Sequence, residues 1–138
     1  NNDPILGRLY GRLYNWYAAT DPRGICPKGW HIPTDSEWTV LIETLGGYRS
    51  TGKFLKSKTL WEHSNHEGTN ESDFNALPSG YRNFYGDFFF LNLHGYFWSA
   101  TQHYNHLAWY HTVDFSLSEV LRYYNVKGNG FPCRCVKD

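Results

Sequence analysis

Gly24-Ile25-Cys26-Pro27-Lys28-Gly29-Trp30-His31-Ile32-Pro33-Thr34-Asp35-Ser36-Glu37-Trp38 carries the strongest local signal in the chain. Thr34-Asp35-Ser36-Glu37 has the form of a capping box, in which a Thr N-cap and a Glu three residues later satisfy each other's backbone donors. Trp38, Leu41, Ile42 and Leu45 then recur at helical spacing and make one apolar face. Gly46-Gly47 supplies the stop. A second, shorter helix is expected from Ser50 to Lys56, packing Phe54 and Leu55.

Upstream, Gly7-Arg8-Leu9-Tyr10 is followed at once by Gly11-Arg12-Leu13-Tyr14. With a period of two this reads as a strand over residues 8–17, ending in Trp16-Tyr17, before a turn at Asp21-Pro22-Arg23-Gly24. Downstream, residues 59–75 are polar and loop-like. From Asn75 onward short apolar and aromatic runs alternate with Gly, Asn and Pro. Strands are expected at Asp87–Leu91, Tyr96–Ser99, Ala108–Asp114, Val120–Tyr124 and Phe131–Val136. The order is α+β: one or two N-terminal helices, then a β-rich, mostly antiparallel C-terminal half.

The 138 residues are enough for one domain, 1–138. Thirteen Lys plus Arg balance thirteen Asp plus Glu, which argues against nucleic acid and against an electrostatically held membrane-surface protein. No apolar run reaches the ~18 residues that a spanning helix needs, so no direct membrane insertion is expected. The chain begins with Asn and shows no signal peptide, and this reads as a processed or trimmed end. Six Trp, 11 Tyr and 9 Phe stand against no Met, a composition that serves a core and a binding face equally.

Three cysteines, Cys26, Cys133 and Cys135, allow one intrachain disulfide at most. Cys133 and Cys135 share a face if extended, and either could reach Cys26. Such a link closes a loop of about 110 residues, worth roughly 4–5 kcal/mol in the chain-entropy model. His63 with His66 and His103 with His106 are three apart in segments that do not look helical, with no carboxylate or Cys completing a ligand set, so no metal is expected. There is no Gly-x-Ser-x-Gly elbow, no phosphate loop and no paired carboxylates. No enzyme and no cofactor are expected.

Between Gln102 and Asn129 the composition changes. Gln102-His103-Tyr104-Asn105-His106 reads as an exposed polar and aromatic loop, while Trp98 and Trp109 read as core. Tyr, Asn, Ser and His on loops over a rigid scaffold are the composition of a binding surface. The candidate ligand-binding residues are His103, Tyr104, Asn105, His106, His111, Asp114, Phe115, Ser116, Leu117, Tyr123, Tyr124 and Asn125.

Several motifs in fixed order carry a resemblance. They are Gly11 to Ala19, Gly24 to Trp38, Thr69 to Arg82, Gly95-Tyr96-Phe97-Trp98-Ser99-Ala100-Thr101, Ala108-Trp109-Tyr110, and Gly130-Phe131 with Arg134 to Asp138. From about residue 7 to the C-terminus the chain resembles the Fibrobacter succinogenes major paralogous domain of surface and secreted proteins. The resemblance implies a C-type-lectin-like fold of the formylglycine-generating-enzyme branch. It also implies an extracytoplasmic location, cell-surface or secreted, and a disulfide between Cys26 and Cys135. Cys133 departs from the family pattern and is left as the free thiol.

Relatives suggest functions that can be compared with these residues. Formylglycine-generating enzymes use a cysteine pair and copper, but here the two C-terminal cysteines stand closer together and one is matched to Cys26. Calcium-dependent lectins use Glu-Pro-Asn or Gln-Pro-Asp with Trp-Asn-Asp, none of which occurs. The variable proteins of diversity-generating retroelements fit better. Most non-framework residues from His103 to Asn129 are of the kind their diversification permits, and Glu119 and Lys127 are not. The expected function is a surface-displayed binding module, adhesin- or receptor-like, for a protein or glycan on another cell or surface. The alternative is a structural or tip subunit of a surface appendage.

Overall fold

Thr34 Oγ1 accepts from the Glu37 backbone N–H, and the Glu37 carboxylate accepts from the Thr34 backbone N–H. The capping box therefore forms as the sequence dictates, at the head of a helix over Asp35–Thr44. The computed structural model describes residues 3–63 and 68–138. The helices are α1 (Pro4–Tyr10), α2 (Trp16–Ala19), α3 (Asp35–Thr44) and α4 (Tyr48–Leu55). The strands are β1 (Trp30–His31), β2 (Tyr81–Arg82), β3 (Phe88–Phe89), β4 (His94–Tyr104), β5 (Leu107–Asp114), β6 (Val120–Val126) and β7 (Val136–Lys137). Every named strand pair is antiparallel. The α+β expectation, with its β-rich C-terminal half, is met.

The main sheet has the order β4-β5-β6. Cross-strand partners share a face, and this assigns the two cores. On one face Phe97, Val113 and Val120 pack with Trp38 and Ile42 of α3 and Leu55 of α4. On the other, Tyr96, Trp98, Ala108 and Tyr110 pack with Phe131 and Ala19, and with Tyr14 and Trp16 at the margin. Phe131 stacks on Trp98 at 4.2 Å and meets Tyr110 edge-on at 4.9 Å. The longer helices α3 and α4 therefore cover one face; the four-residue α2 and aromatic residues from irregular segments cover the other.

An irregularity in β4 ties the layers together. Trp98 pairs with Tyr110 and Gln102 with Ala108, so β4 carries extra residues between them. The freed groups turn to other elements. The Ala100 N–H donates to the Pro33 carbonyl, the Trp16 indole donates to the Ser99 carbonyl, and the Asp35 N–H donates to Thr101 Oγ1.

The N-terminal strand expected over residues 8–17 does not form. Asp3 caps α1 by accepting from the Ile5 and Leu6 N–H groups, Pro4 opens the helix, and Gly11 ends it at φ 83°. The first Gly-Arg-Leu-Tyr copy is helical and the second is not, its last residue Tyr14 bridging to Phe131. Identical tetrapeptides take different conformations because a cap acts on one and a partner chain segment on the other.

Other boundaries shift as well. The second helix starts at Tyr48, ahead of the expected Ser50. Asp87–Leu91 shrinks to Phe88–Phe89, since Phe90 and Asn92 adopt positive φ. Of the strand expected at Phe131–Val136, only Val136 lies in β7 (Val136–Lys137), and Phe131 makes an isolated bridge to Tyr14. Gln102–Tyr104 belongs to β4, so the expected exposed loop is a two-residue turn at Asn105 and His106. Trp109 is half-buried where core was expected.

Residues near Cys26 and near the C-terminal end are fastened three times. Cys26 and Cys135 form a disulfide across a separation of 109 residues, and Cys133 is the free thiol, as the resemblance implied. β1 pairs with β7. His31 Nδ1 and Nε2 lie 2.7 and 2.8 Å from carboxylate oxygens of Asp138 and Glu37, and both raise its pKa. No helix among the described residues is long and apolar enough to cross a membrane.

Removing the disulfide by Cys26→Ser with Cys135→Ser should cost about 4–5 kcal/mol, read from urea unfolding as a lower midpoint with a steeper slope, since the unfolded chain is no longer held compact by the crosslink. Burial pushes the Cys133 thiol up to about 12. The native protein should therefore leave a thiol reagent unconsumed at pH 8 and consume it only after denaturation.

Candidate functional site

The β4–β5 hairpin brings one group of the candidate residues together. The His103 ring stacks on Tyr124 at 4.3 Å and lies 4.4 Å from Trp109 and 4.8 Å from Tyr104. Trp109 and Tyr124 are cross-strand partners, so they share the face that carries His111 and Arg122. Tyr104 is 64% exposed and Tyr124 51%, so the cluster presents rings to solvent from a hydrogen-bonded base. Asn105 and His106 make the turn beside it. Their carbonyls accept from the Lys127 ammonium and the Lys127 backbone N–H, respectively.

What holds this cluster was not among the candidates. Arg122 lays its guanidinium 3.4 Å above the Trp109 ring and forks onto Asp35, with Nε–Oδ1 and Nη2–Oδ2 both 2.8 Å. Asp35 is the first residue of α3. A carboxylate there is favoured by the helix N-terminus, and the planar fork fixes both partners. The ion pair raises the Arg122 pKa further. The sequence signal was available: Val120, Arg122 and Tyr124 alternate onto one face, and a cation on a packed face needs a carboxylate.

His111 lies deeper on the same face. It is 1% exposed and stacks on Trp38 at 4.7 Å. Neither ring nitrogen has a hydrogen-bond partner among the described residues, and Nε2 is 3.8 Å from Asp35 Oδ1. Burial pushes its pKa down to about 4; Asp35 opposes this and Arg122 adds to it. The structure places His111 in the core, apart from the exposed rings.

The remaining candidates go elsewhere. Tyr123 points to the opposite face, beside Tyr110 at 6.3 Å. Asn125 shares that opposite face with Ala108 and accepts from Asn129 Nδ2. Asp114 ends β5, and Phe115, Ser116 and Leu117 open the β5–β6 connection, at the far end of the sheet from the hairpin tip. β5 has eight residues, so the two ends are separated by roughly 25 Å. The connection turns inward: the carbonyls of Asp114, Phe115 and Leu117 accept from the Lys56 ammonium at 2.9, 3.4 and 2.9 Å. Lys56 is fully buried, and burial lowers its pKa to about 8. Asp114 also accepts from Ser116 Oγ and faces His94 Nε2 at 3.3 Å.

His66, half of one histidine pair, lies outside the described residues. Among the described residues no group of three or more His, Cys, Asp or Glu side chains is placed to hold a metal ion. A groove of about 1080 Å³ runs between α1 and residues 82–91.

These features define a disulfide-linked α+β domain with an exposed aromatic cluster braced by an ion pair from the sheet to a helix N-terminus. The model of the Fibrobacter succinogenes major domain family matches residues 1–137, and the chain belongs to that family. No curated protein and no solved structure matches it.

A histidine held neutral in the fold binds a proton at its ordinary pKa once the chain unfolds. As pH falls from 6.5 toward 4, the unfolded state takes up a proton that folded His111 refuses. Stability is therefore lost across that window, by up to about 3 kcal/mol, and levels off below it. In urea titrations from pH 4 to 7, His111→Leu should show a distinctly shallower pH dependence than the parent.

Proposed function

We propose that the chain is a surface-displayed binding module, with no catalytic role, that uses a C-type-lectin-like scaffold outside the cytoplasm. Its ligand in this reading is a protein or glycan on another cell or surface. One observation carries the proposal: the exposed cluster of His103, Tyr104 and Tyr124, in which His103 and Tyr124 sit on Trp109 and Tyr104 packs on His103, with Trp109 braced by Arg122 and Asp35. Rigid amphipathic rings give contact area at low entropic cost, and Asn105 and His106 supply hydrogen bonding at the rim. The Cys26–Cys135 disulfide supports an oxidising compartment.

The proposed site is narrower than composition suggested. His111 and the Asp114–Leu117 connection serve the core and Lys56, and Tyr123 faces away from the cluster. A variable C-terminal segment, as in the retroelement-diversified proteins, belongs to the same reading. Positions 103–106 and 124 sit where side chains change without altering the backbone ladder.

The test is a screen of the purified chain against glycan and surface-protein arrays, beside a variant carrying His103→Ala, Tyr104→Ala and Tyr124→Ala. Binding should weaken by about thirtyfold or more, as expected for truncated aromatic anchors. Stability should change by no more than about 1 kcal/mol, since two of the three residues are largely exposed. Equal binding by both proteins would remove the assignment. A concentration-dependent oligomer that hides the same rings would favour the appendage-subunit reading.

A further inference from the structure

The groove beside α1 has walls of unusual character. One wall is α1 and the segment after it, with Leu6, Tyr10 and Leu13. The other is β3 and its continuation, with Phe88, Phe89 and Phe90 at 48%, 41% and 45% exposure. Phe89 and Phe90 stack one side against Tyr81, at 5.4 and 6.1 Å, and all three phenylalanines leave an apolar surface open to the groove. α1 buries no residue, so it borders the groove without filling it.

The charges in the lining have one sign available. Arg12 and Arg82 are exposed and make no ion pair among the described residues. The Arg82 guanidinium lies 5.9 Å from the Phe88 ring centre. Asp3, the acidic residue in the lining, caps α1 through its carboxylate. A bound segment would therefore meet phenylalanine rings beside two unpaired guanidinium groups.

The backbone adds an independent observation. β2 and β3 make a sheet of their own, and β3 pairs only with β2. β2 is covered on its other side, where Arg82 bridges to Gly130. The outer edge of β3, two residues long, has no partner among the described residues, so it offers room for a short added strand at Phe88 and Phe89. A sugar would require many side-chain hydrogen-bonding groups, which this phenylalanine wall lacks. An extended peptide needs an open strand edge and apolar seats, and both are present.

We propose that this groove is a second binding site, for an extended, acidic and apolar segment of a protein partner. The segment adds to the outer edge of β3, seats apolar side chains on Phe88, Phe89 and Phe90, and sets carboxylates against Arg12 and Arg82. The site shares no residue with the His103–Tyr124 cluster.

The probe is a synthetic peptide, Val-Glu-Val-Glu-Val-Glu-Val with blocked ends, titrated calorimetrically into the full chain. Saturable binding that weakens as salt is raised is expected. Binding should fall by about tenfold in Arg12→Glu with Arg82→Glu, the scale of two partly exposed ion pairs, with circular dichroism unchanged. A peptide N-methylated at alternate residues should not bind, because it cannot pair with the edge. Tyr104→Ala with Tyr124→Ala should bind the peptide as the parent does, which separates this site from the proposed ligand face. Equal binding of the Val-Lys counterpart, full binding of the N-methylated peptide, or no saturation with the acidic peptide would each overturn the proposal. So would a dimer in sedimentation that Phe88→Ser abolishes, since a second copy would then occupy the groove.

Discussion

Both faces of the β4-β5-β6 sheet must be covered, and the chain has long helices for only one of them. α3 and α4 cover the face of Phe97, Val113 and Val120. The opposite face is closed by Phe131, Tyr14, Trp16 and Ala19, which come from short or irregular segments. Large rings are what make that possible. A segment without regular structure contributes few side chains per length, and each must bury a large area. The aromatic richness of the sequence is therefore mostly a packing requirement.

The same constraint accounts for the fastenings. Irregular covering segments lack the cooperativity of a helix, so they are held by specific bonds. The indole of Trp98 donates to the Tyr14 carbonyl, and that of Trp16 donates to the Ser99 carbonyl. Lys127, almost fully buried, places its ammonium 4.2 Å over the Trp16 ring while donating to Gln102 and Asn105. The disulfide and the β1–β7 pairing close the layer from outside.

Legibility in the sequence followed the range of the interactions. The α3 capping box and its apolar face are local, and both read correctly. Strands β4, β5 and β6 are legible as short apolar and aromatic runs, and the expected ends at Asp114 and Val120 hold; β4 and the far end of β6 run longer than the runs themselves, because pairing partners set strand length. α1 was missed because period two and a single helical turn compete over so short a repeat, and the Asp3 cap decides it. The candidate site was read as one stretch between His103 and Asn125. Antiparallel strands send its middle, Asp114–Leu117, to the far end of the sheet, alternation turns Tyr123 to the opposite face, and α3 buries His111 beneath Trp38. Arg122 and Asp35 are 87 residues apart, so only the fold brings them together.

The bracing of Trp109 has a consequence for how readily this protein could change. Arg122, Asp35 and Trp109 form a platform beneath the hairpin tip, and the ladder above it is made of backbone. Tyr124 rests on that platform directly and Tyr104 through His103, without filling any space the core requires. Replacing them alters what the surface presents while leaving the free energy of folding nearly untouched. In this domain, tolerance to replacement is concentrated where contact with other molecules would occur. The residues that cannot be exchanged lie one layer below.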